Sequence, residues 1–333
     1  MSDITYRRRD LIQAAAASGL ASALPAWAAE PPPETTRIRL ARTRSICIAP
    51  QYLAEELLRT EGYTDIQYLE TAAGSTVAQS LNVGLIDISM GFAAVMVEQL
   101  DKGASFVVLA GIHAGCFELI GTNGVKTISD LKGRSAAVLG LGSAQHVFLS
   151  SIAASVGVDP QRDIRWLTHP PVEAKQMLAA GKIDAFLGFP PDPQELRAQK
   201  VGQVVLNSAI DRPWSQYFCC MVAANREFAR RNPVATKRAL RAIIKASEMC
   251  AADPELGAAA YLRQGYPIHA EYARQALREI PYGHWRDYNP EETVRFYALR
   301  LREAGMVKSA PQKLIAQGTD WRLLDQLKRE LKA

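Results

Sequence analysis

The segment LNVGLIDISMGF (residues 81–92) returns as LAAGKIDAFLGF (residues 178–189), beginning 97 residues later, and both fit L-x-x-G-x-I-D-x-x-x-G-F. The likeness extends upstream. TDIQYL (64–69) answers RDIRWL (162–167), and IRLARTRSICIAP answers SAAVLGLGSAQHV, so that Ser45 lines up with Ser143 at a distance of 98 residues. Matched segments at a nearly constant offset mean one architecture built twice. Each copy begins with a short β-rich strand (38–41; 135–139), then a serine loop, then an amphipathic helix (about 50–60; about 144–155) ended by Gly62 or Gly157. A second strand, a helix ending at Gly84 or Gly181, and a third strand running into Gly-Phe follow. Strands alternating with helices predict an α/β fold with parallel sheets and right-handed crossovers. Ligands of such sheets bind beyond the C-terminal strand ends. Each lobe therefore offers two loops, the serine loop and the Gly-Phe loop, to a shared cleft.

The ends complete the plan. Beyond Ala224 the chain is strongly helical. Asn232-Pro233 and Asn289-Pro290 read as helix starts, the second with Glu292 completing a capping box. Trp321, Leu324, Leu327 and Leu331 form one apolar stripe. These helices are expected to buttress the first lobe. At the other end, Arg7-Arg8-Arg9, a short apolar stretch and Ala26-Trp27-Ala28 predict an export signal cleaved before Ala29, with the arginine pair of a twin-arginine signal. The predicted division is 1–28 signal, 29–36 linker, 37–115 first part of lobe 1, 116–221 lobe 2, and 222–333 the rest of lobe 1 with the C-terminal helices.

The formal charge of +5 falls to +4 without residues 1–28, and its members are scattered among acidic residues, so no basic stripe points to nucleic acid. VLGLGSAQ lacks the third glycine of a dinucleotide fingerprint. The sequence has no C-x-x-C, H-E-x-x-H or G-x-S-x-G, so neither a metal nor a cofactor is expected. Five cysteines at irregular spacing do not form a disulfide framework. The adjacent Cys219 and Cys220 in QYFCCMVAA are expected to face opposite sides of a strand and to pack as small apolar groups.

GSTVAQSLNVGLIDISMG, TISDLKGRSAAVLGLGSAQHVFL, QMLAAGKIDAFLGFPP and VAANREFARRNPVATKRAL together resemble the periplasmic solute-binding proteins of ABC importers, in the nitrate/sulfonate/taurine and thiamine-precursor group. The resemblance implies the type II binding-protein fold: two lobes, a two-strand hinge from GCFELIGT (115–122) paired with QYFCCMVAA (216–224), and a helical extension on lobe 1. It implies an exported, monomeric, non-enzymatic receptor whose partners are a small solute, an ABC permease with its ATPase, and the twin-arginine export machinery. The solute would be a small anion of the nitrate, sulfonate or taurine kind, or alternatively a thiamine pyrimidine precursor or similar heterocycle. Related pyrimidine-precursor synthases carry a longer cysteine cluster and a lysine-bound cofactor.

Carried over by position, the resemblance and the repeat make the ligand contacts Ser45, Ile46, Ser75, Thr76, Gly91, Phe92, Gly142, Ser143, Ala144, His146, Phe189, Pro190, Trp214 and Ser215. Ser143 and the Ser75-Thr76 pair would offer hydroxyls and helix N-terminal N–H groups to an anion. Phe92, Phe189 and Trp214 would form apolar walls. Phe189-Pro190 stands where the family commonly has glutamate-proline, which leaves Asp192 as the substitute carboxylate for an amine. His113 is a further candidate for the cleft.

Overall fold

The computed structural model describes residues 30–71 and 76–331. The expected export signal, its expected cleavage site and Ser75 lie outside them. The first half of lobe 1 runs β1 (Arg37–Arg42), α1 (Ala49–Leu53), α2 (Glu55–Thr60), β2 (Asp65–Glu70), α3 (Val77–Asn82), β3 (Ile88–Phe92), α4 (Ala93–Asp101) and β4 (Phe106–Ala114). Lobe 2 runs β5 (Glu118–Gly121), β6 (Arg134–Val138), α5 (Ala144–Ser155), β7 (Ile164–Thr168), α6 (Pro171–Ala179), β8 (Ala185–Gly188), α7 (Asp192–Ala198) and β9 (Gln203–Asn207). The chain then returns as β10 (Phe218–Asn225) and continues as α8 (Arg226–Arg231), α9 (Pro233–Ala252), α10 (Pro254–Leu262), α11 (Ala270–Glu279), α12 (Pro290–Glu303), α13 (Pro311–Gly318) and α14 (Arg322–Glu330).

The repeat is visible in the strand order. Lobe 2 is one sheet ordered β7-β6-β8-β5-β9, and lobe 1 repeats it as β2-β1 beside β3-β10-β4. In each lobe the strand arriving from the other lobe enters as the antiparallel member: β5 between β8 and β9, β10 between β3 and β4.

The motif residues have matching jobs in the two lobes. Gly84 and Gly181 leave their helices with φ of 69° and 65°, a conformation that favours glycine. The aspartates tie the third strand to the first. The Asp87 N–H donates to Arg39 O at 2.8 Å while its carboxylate accepts from the Arg39 N–H at 2.8 Å. The Asp184 N–H donates to Ser135 O at 3.2 Å and its carboxylate accepts from the Ser135 N–H at 2.9 Å. The aspartate that made the repeat conspicuous is therefore a strand clasp and not a ligand contact.

The crossings between lobes are residues 115–117 and 208–217. The expected pairing of 115–122 with 216–224 does not form, because 218–225 is taken up by β3 and β4 while 118–121 pairs with β8 and β9. The crossings instead touch at Ser208. Its hydroxyl accepts from the N–H groups of Cys116 and Phe117, at 3.1 and 2.9 Å, and the Ser208 N–H donates to Phe117 O at 2.9 Å. Gly115 permits this approach: a Cβ there would lie 2.1 Å from Ser208 O and 2.2 Å from Ala209 N.

One expected helix cap is replaced, and one forms without its capping box. The side chain of Asn232 does not cap α9. Glu34 does, accepting from the N–H groups of Val234 and Ala235 at 3.0 and 2.9 Å. Asn289 caps α12 through the Glu291 N–H, but Glu292 turns outward to Arg295 and forms no capping box. The C-terminal helices do pack on lobe 1, and α12 lies against both α4 of lobe 1 and α5 of lobe 2. Among the described residues no helix is long and apolar enough to cross a membrane.

Candidate functional site

The C-terminal strand edges of the two lobes face one another across a cleft of about 980 Å³. Of the expected contacts, Ser45, Thr76, Gly91, Phe92, Ser143, Ala144 and Phe189 line it. Ser143 caps α5, its hydroxyl accepting from the His146 N–H, and Thr76 caps α3 through Gln79. The Ser143 cap leaves the N–H groups of Ala144 and Gln145 without acceptors among the described residues, at the positive end of a three-turn helix.

The other expected contacts lie off the lining, each for a packing reason. Ile46 is fully buried in lobe 1, and its neighbour Cys47 takes the cleft side. Gly142, at φ 82°, shapes the turn into α5, and its N–H donates to His146 Nδ1. That bond and an edge contact with Trp166 hold His146 under the loop, where burial pushes its pKa down. Pro190 is buried while Pro191 reaches the cleft. Trp214 is 3% exposed and packs on Phe148 and Phe296 behind the hinge. Ser215 lines a separate smaller cavity with His284 and Tyr288.

Asp192 reaches the cleft, but its carboxylate is bound to Lys175 at 2.9 Å, and Glu195 holds the same ammonium. Burial pulls the Lys175 pKa down, and the carboxylates of Asp192 and Glu195 more than reverse it. Lys175 is therefore a fixed ammonium and Asp192 a committed carboxylate, which is not free for an amine ligand.

Residues not singled out in the sequence complete the walls. Arg44, next to Ser45, is exposed on the cleft; its carbonyl accepts from the Tyr261 hydroxyl at 2.6 Å, while its guanidinium has no hydrogen bond or ion pair to another described residue. Arg42 beside it is engaged by Glu70 at 2.9 Å and lies over the Tyr266 ring. Tyr261, Tyr266 and Tyr272 bring the α10–α11 region into the lining. Phe117, on the first crossing, stands 4.9 Å from Phe92 and 6.1 Å from Phe189, so the floor is aromatic from one lobe to the other. The tyrosine-rich run YLRQGYPIHAEY was the sequence signal for the added wall.

Under the floor lies a cluster of thiols. Cys47 Sγ is 3.8 Å from Cys220 Sγ, and Cys116 Sγ is 3.2 Å from Cys219 Sγ. All four are buried, and adjacent Cys219 and Cys220 do turn to different partners. His113 is fully buried beside them, behind the cleft and not in it. Hydrogen bonds from Cys116, Cys219 and Cys47 hold the Cys220 thiol well below its ordinary pKa despite burial. Burial depresses His113, and the nearby Cys220 and Cys47 sulfurs raise it beyond its ordinary value.

Two α/β lobes of one strand order, crossed twice by the chain and closing a cleft at their strand edges, define the periplasmic-binding-protein fold. Among solved structures, the alkanesulfonate-binding protein SsuA from Xanthomonas axonopodis pv. citri, bound to MOPS, has a TM-score of 0.70 at 18% identity, covering 86% of this chain and 99% of its own. The periplasmic nitrate-binding protein NrtA from Synechocystis PCC 6803 has a TM-score of 0.76 at 16% identity, covering 91% and 90%. The periplasmic aliphatic sulphonate binding protein SsuA from Escherichia coli has 0.67 at 21% identity, covering 84% and 91%. No curated protein matches by sequence. Residues 31–262 match the NMT1-like family, and the chain belongs to it.

Proposed function

We propose that this protein is the exported solute receptor of an ABC importer, capturing a small organic anion between its lobes and delivering it to a permease. The observation that carries this reading is the pairing of Arg44, whose guanidinium has no ion-pair partner among the described residues, with the open N-terminus of α5 across the cleft. A guanidinium and helix N–H groups recognise sulfonate or carboxylate oxygens. The aromatic floor supplies a place for an apolar body. A volume of about 980 Å³ stands at the upper end of organic-ligand sites, about 300–1,000 Å³, and favours an organic sulfonate or carboxylate over a bare nitrate ion.

The named activities of the structural relatives, alkanesulfonate, sulphonate and nitrate binding, agree with an anion. The arginine pair at Arg8-Arg9 supports export by the twin-arginine route, and the periplasm as the destination. One observation favours a second ligand class: the wall of Tyr261, Tyr266 and Tyr272 suits a planar heterocycle such as a pyrimidine. A synthase is disfavoured, since Lys175 is held as an ammonium and is not poised to form an imine.

Thermal unfolding with a panel of alkanesulfonates, taurine, nitrate, carboxylates and pyrimidines tests the reading. A bound solute raises Tm with its concentration. One class is expected to do so in wild type and much less in Arg44→Ala. A panel with no stabilising member, or equal stabilisation of the variant, overturns it.

A further inference from the structure

We propose that Cys47, Cys220 and His113 form a zinc site in the floor of the cleft, with a fourth coordination position opening toward a bound solute. The site goes beyond the receptor reading and does not depend on it. Its members come from three segments that the fold alone brings together. Cys47 lies in the single 3-10 turn after β1, His113 on β4, and Cys220 on β10. Cys220 and His113 are register partners on neighbouring strands. Each segment belongs to lobe 1, so the site is rigid whatever the lobes do.

The geometry suits a tetrahedral ion. Two thiolates bound at about 2.3 Å to one zinc lie about 3.8 Å apart, and Cys47 Sγ and Cys220 Sγ are separated by 3.8 Å. The three donor atoms all fall within 4.8 Å of one another. The imidazole is already set. Its Nδ1 sits 2.7 Å from the Ala114 carbonyl, which can only accept, so Nδ1 carries a hydrogen and Nε2 is the nitrogen left to bind an ion, which would take the place of any proton there. Nε2 is buried and has no hydrogen-bond partner among the described residues. A buried imidazole nitrogen without a partner is costly and calls for an occupant. A backbone carbonyl on the other ring nitrogen is the usual orienting contact of a metal-bound histidine.

The surroundings agree. Tyr282 holds the turn that carries Cys47, donating to its carbonyl at 2.8 Å, and sets its ring edge-on to His113 at 5.1 Å. Ser45 Oγ lies 3.0 Å from Cys47 Sγ and can donate to a thiolate there. Two thiolates balance a divalent charge, so the loaded site is neutral and its burial is affordable. Cys47 and Cys220 line the cleft and His113 does not, so the open position faces the solute. Two cysteines, one histidine and an open place match the donor set of zinc sites that take an exogenous ligand. No zinc spacing motif marks it in the sequence, because those rules describe ligands close in the chain.

Cobalt titration of the full chain tests the proposal. The protein is kept reduced with a phosphine, and its five thiols are counted in denaturant beforehand. One equivalent of Co²⁺ is expected to give thiolate-to-cobalt charge transfer for two sulfurs and the intense visible bands of a tetrahedral ion, and Zn²⁺ is expected to abolish both. Cys47→Ser and Cys220→Ser each remove the bands, and Cys250→Ser, altered at a thiol outside the cluster, retains them. Since a serine in the cluster can unfold the protein, each variant is first checked by circular dichroism, and the wild-type spectrum stands as a test by itself. A reduced, folded wild type without the charge-transfer band overturns the proposal, as does a band that survives in the folded double variant. All of these readings are taken without solute, so failure here leaves the receptor reading untouched.

Discussion

Glu118 should make this protein less stable as the pH rises through neutrality. It sits on β5 with 3% of its surface exposed, and Oε2 has no hydrogen-bond partner among the described residues. Its nearest cation, Arg197 on α7, is 3.5 Å away and is shared with Glu279 on α11. Burial is the main force on the carboxyl. Arg197 opposes it and Glu279 adds to it, and the pKa is pushed up to about 7. In the unfolded chain a glutamate titrates near 4.3. Between these values the folded protein holds a proton that the unfolded chain has lost, so the stabilisation is complete below about 4.3 and is lost as the pH rises through 7. At about 1.4 kcal/mol per pH unit, the loss over the whole window is at most about 4 kcal/mol, of which the part between pH 5 and 8 is about 2–3 kcal/mol. Glu118→Gln keeps the shape and removes the titration. Urea unfolding at pH 5, 6, 7 and 8 is the assay. The variant should match wild type at pH 5 and exceed it at pH 8 by about 2–3 kcal/mol, with the two curves diverging between. Curves that stay parallel from pH 5 to 8 would show that Glu118 ionises freely in the fold and would refute the argument.

Other perturbations separate the hinge, the cap and the walls. Gly115→Ala drives a Cβ into the backbone of Ser208 and Ala209, so a loss of about 1–3 kcal/mol or more is expected by urea unfolding; wild-type stability would mean that the crossings do not touch. Glu34→Ala strips the cap from α9 and should cost about 1 kcal/mol, while Asn232→Ala costs less; the reverse order would return the cap to Asn232. Trp214→Ala should destabilise by about 3–5 kcal/mol yet leave solute affinity unchanged, whereas Phe189→Ala should weaken binding. Equal losses of affinity in both would put Trp214 back in the cleft.

Where neighbours in sequence are neighbours in space, the chain reads plainly. The first strand of each copy was placed within a residue of its observed limits, and α5 was expected over the residues it occupies, because alternating apolar strands and a serine cap are local signals. The cleft followed from the repeat, since two copies of one strand order must bring equivalent loops together. What was not legible depends on contacts across the chain. Cys47, His113, Cys116, Cys219 and Cys220 converge through topology, and no spacing announces it. Glu34 caps a helix that starts at Pro233, so a local rule chose Asn232 in its place. The hinge expectation failed because a strand with two apolar faces, such as 218–225, pairs with whichever sheet receives it, and here that is lobe 1 on both sides. Trp214 was drawn into the cleft by its position in the chain, although an indole 3% exposed belongs to packing.

The central claim is that an anionic solute is held between the lobes by Arg44 and the α5 N-terminus. Calorimetric titration with the solute that stabilises most in the thermal panel tests it most directly. One solute per chain is predicted, with affinity falling about tenfold or more in Arg44→Ala, as expected for loss of a charge-assisted hydrogen bond. No heat from any solute, or an affinity indifferent to Arg44, would contradict it.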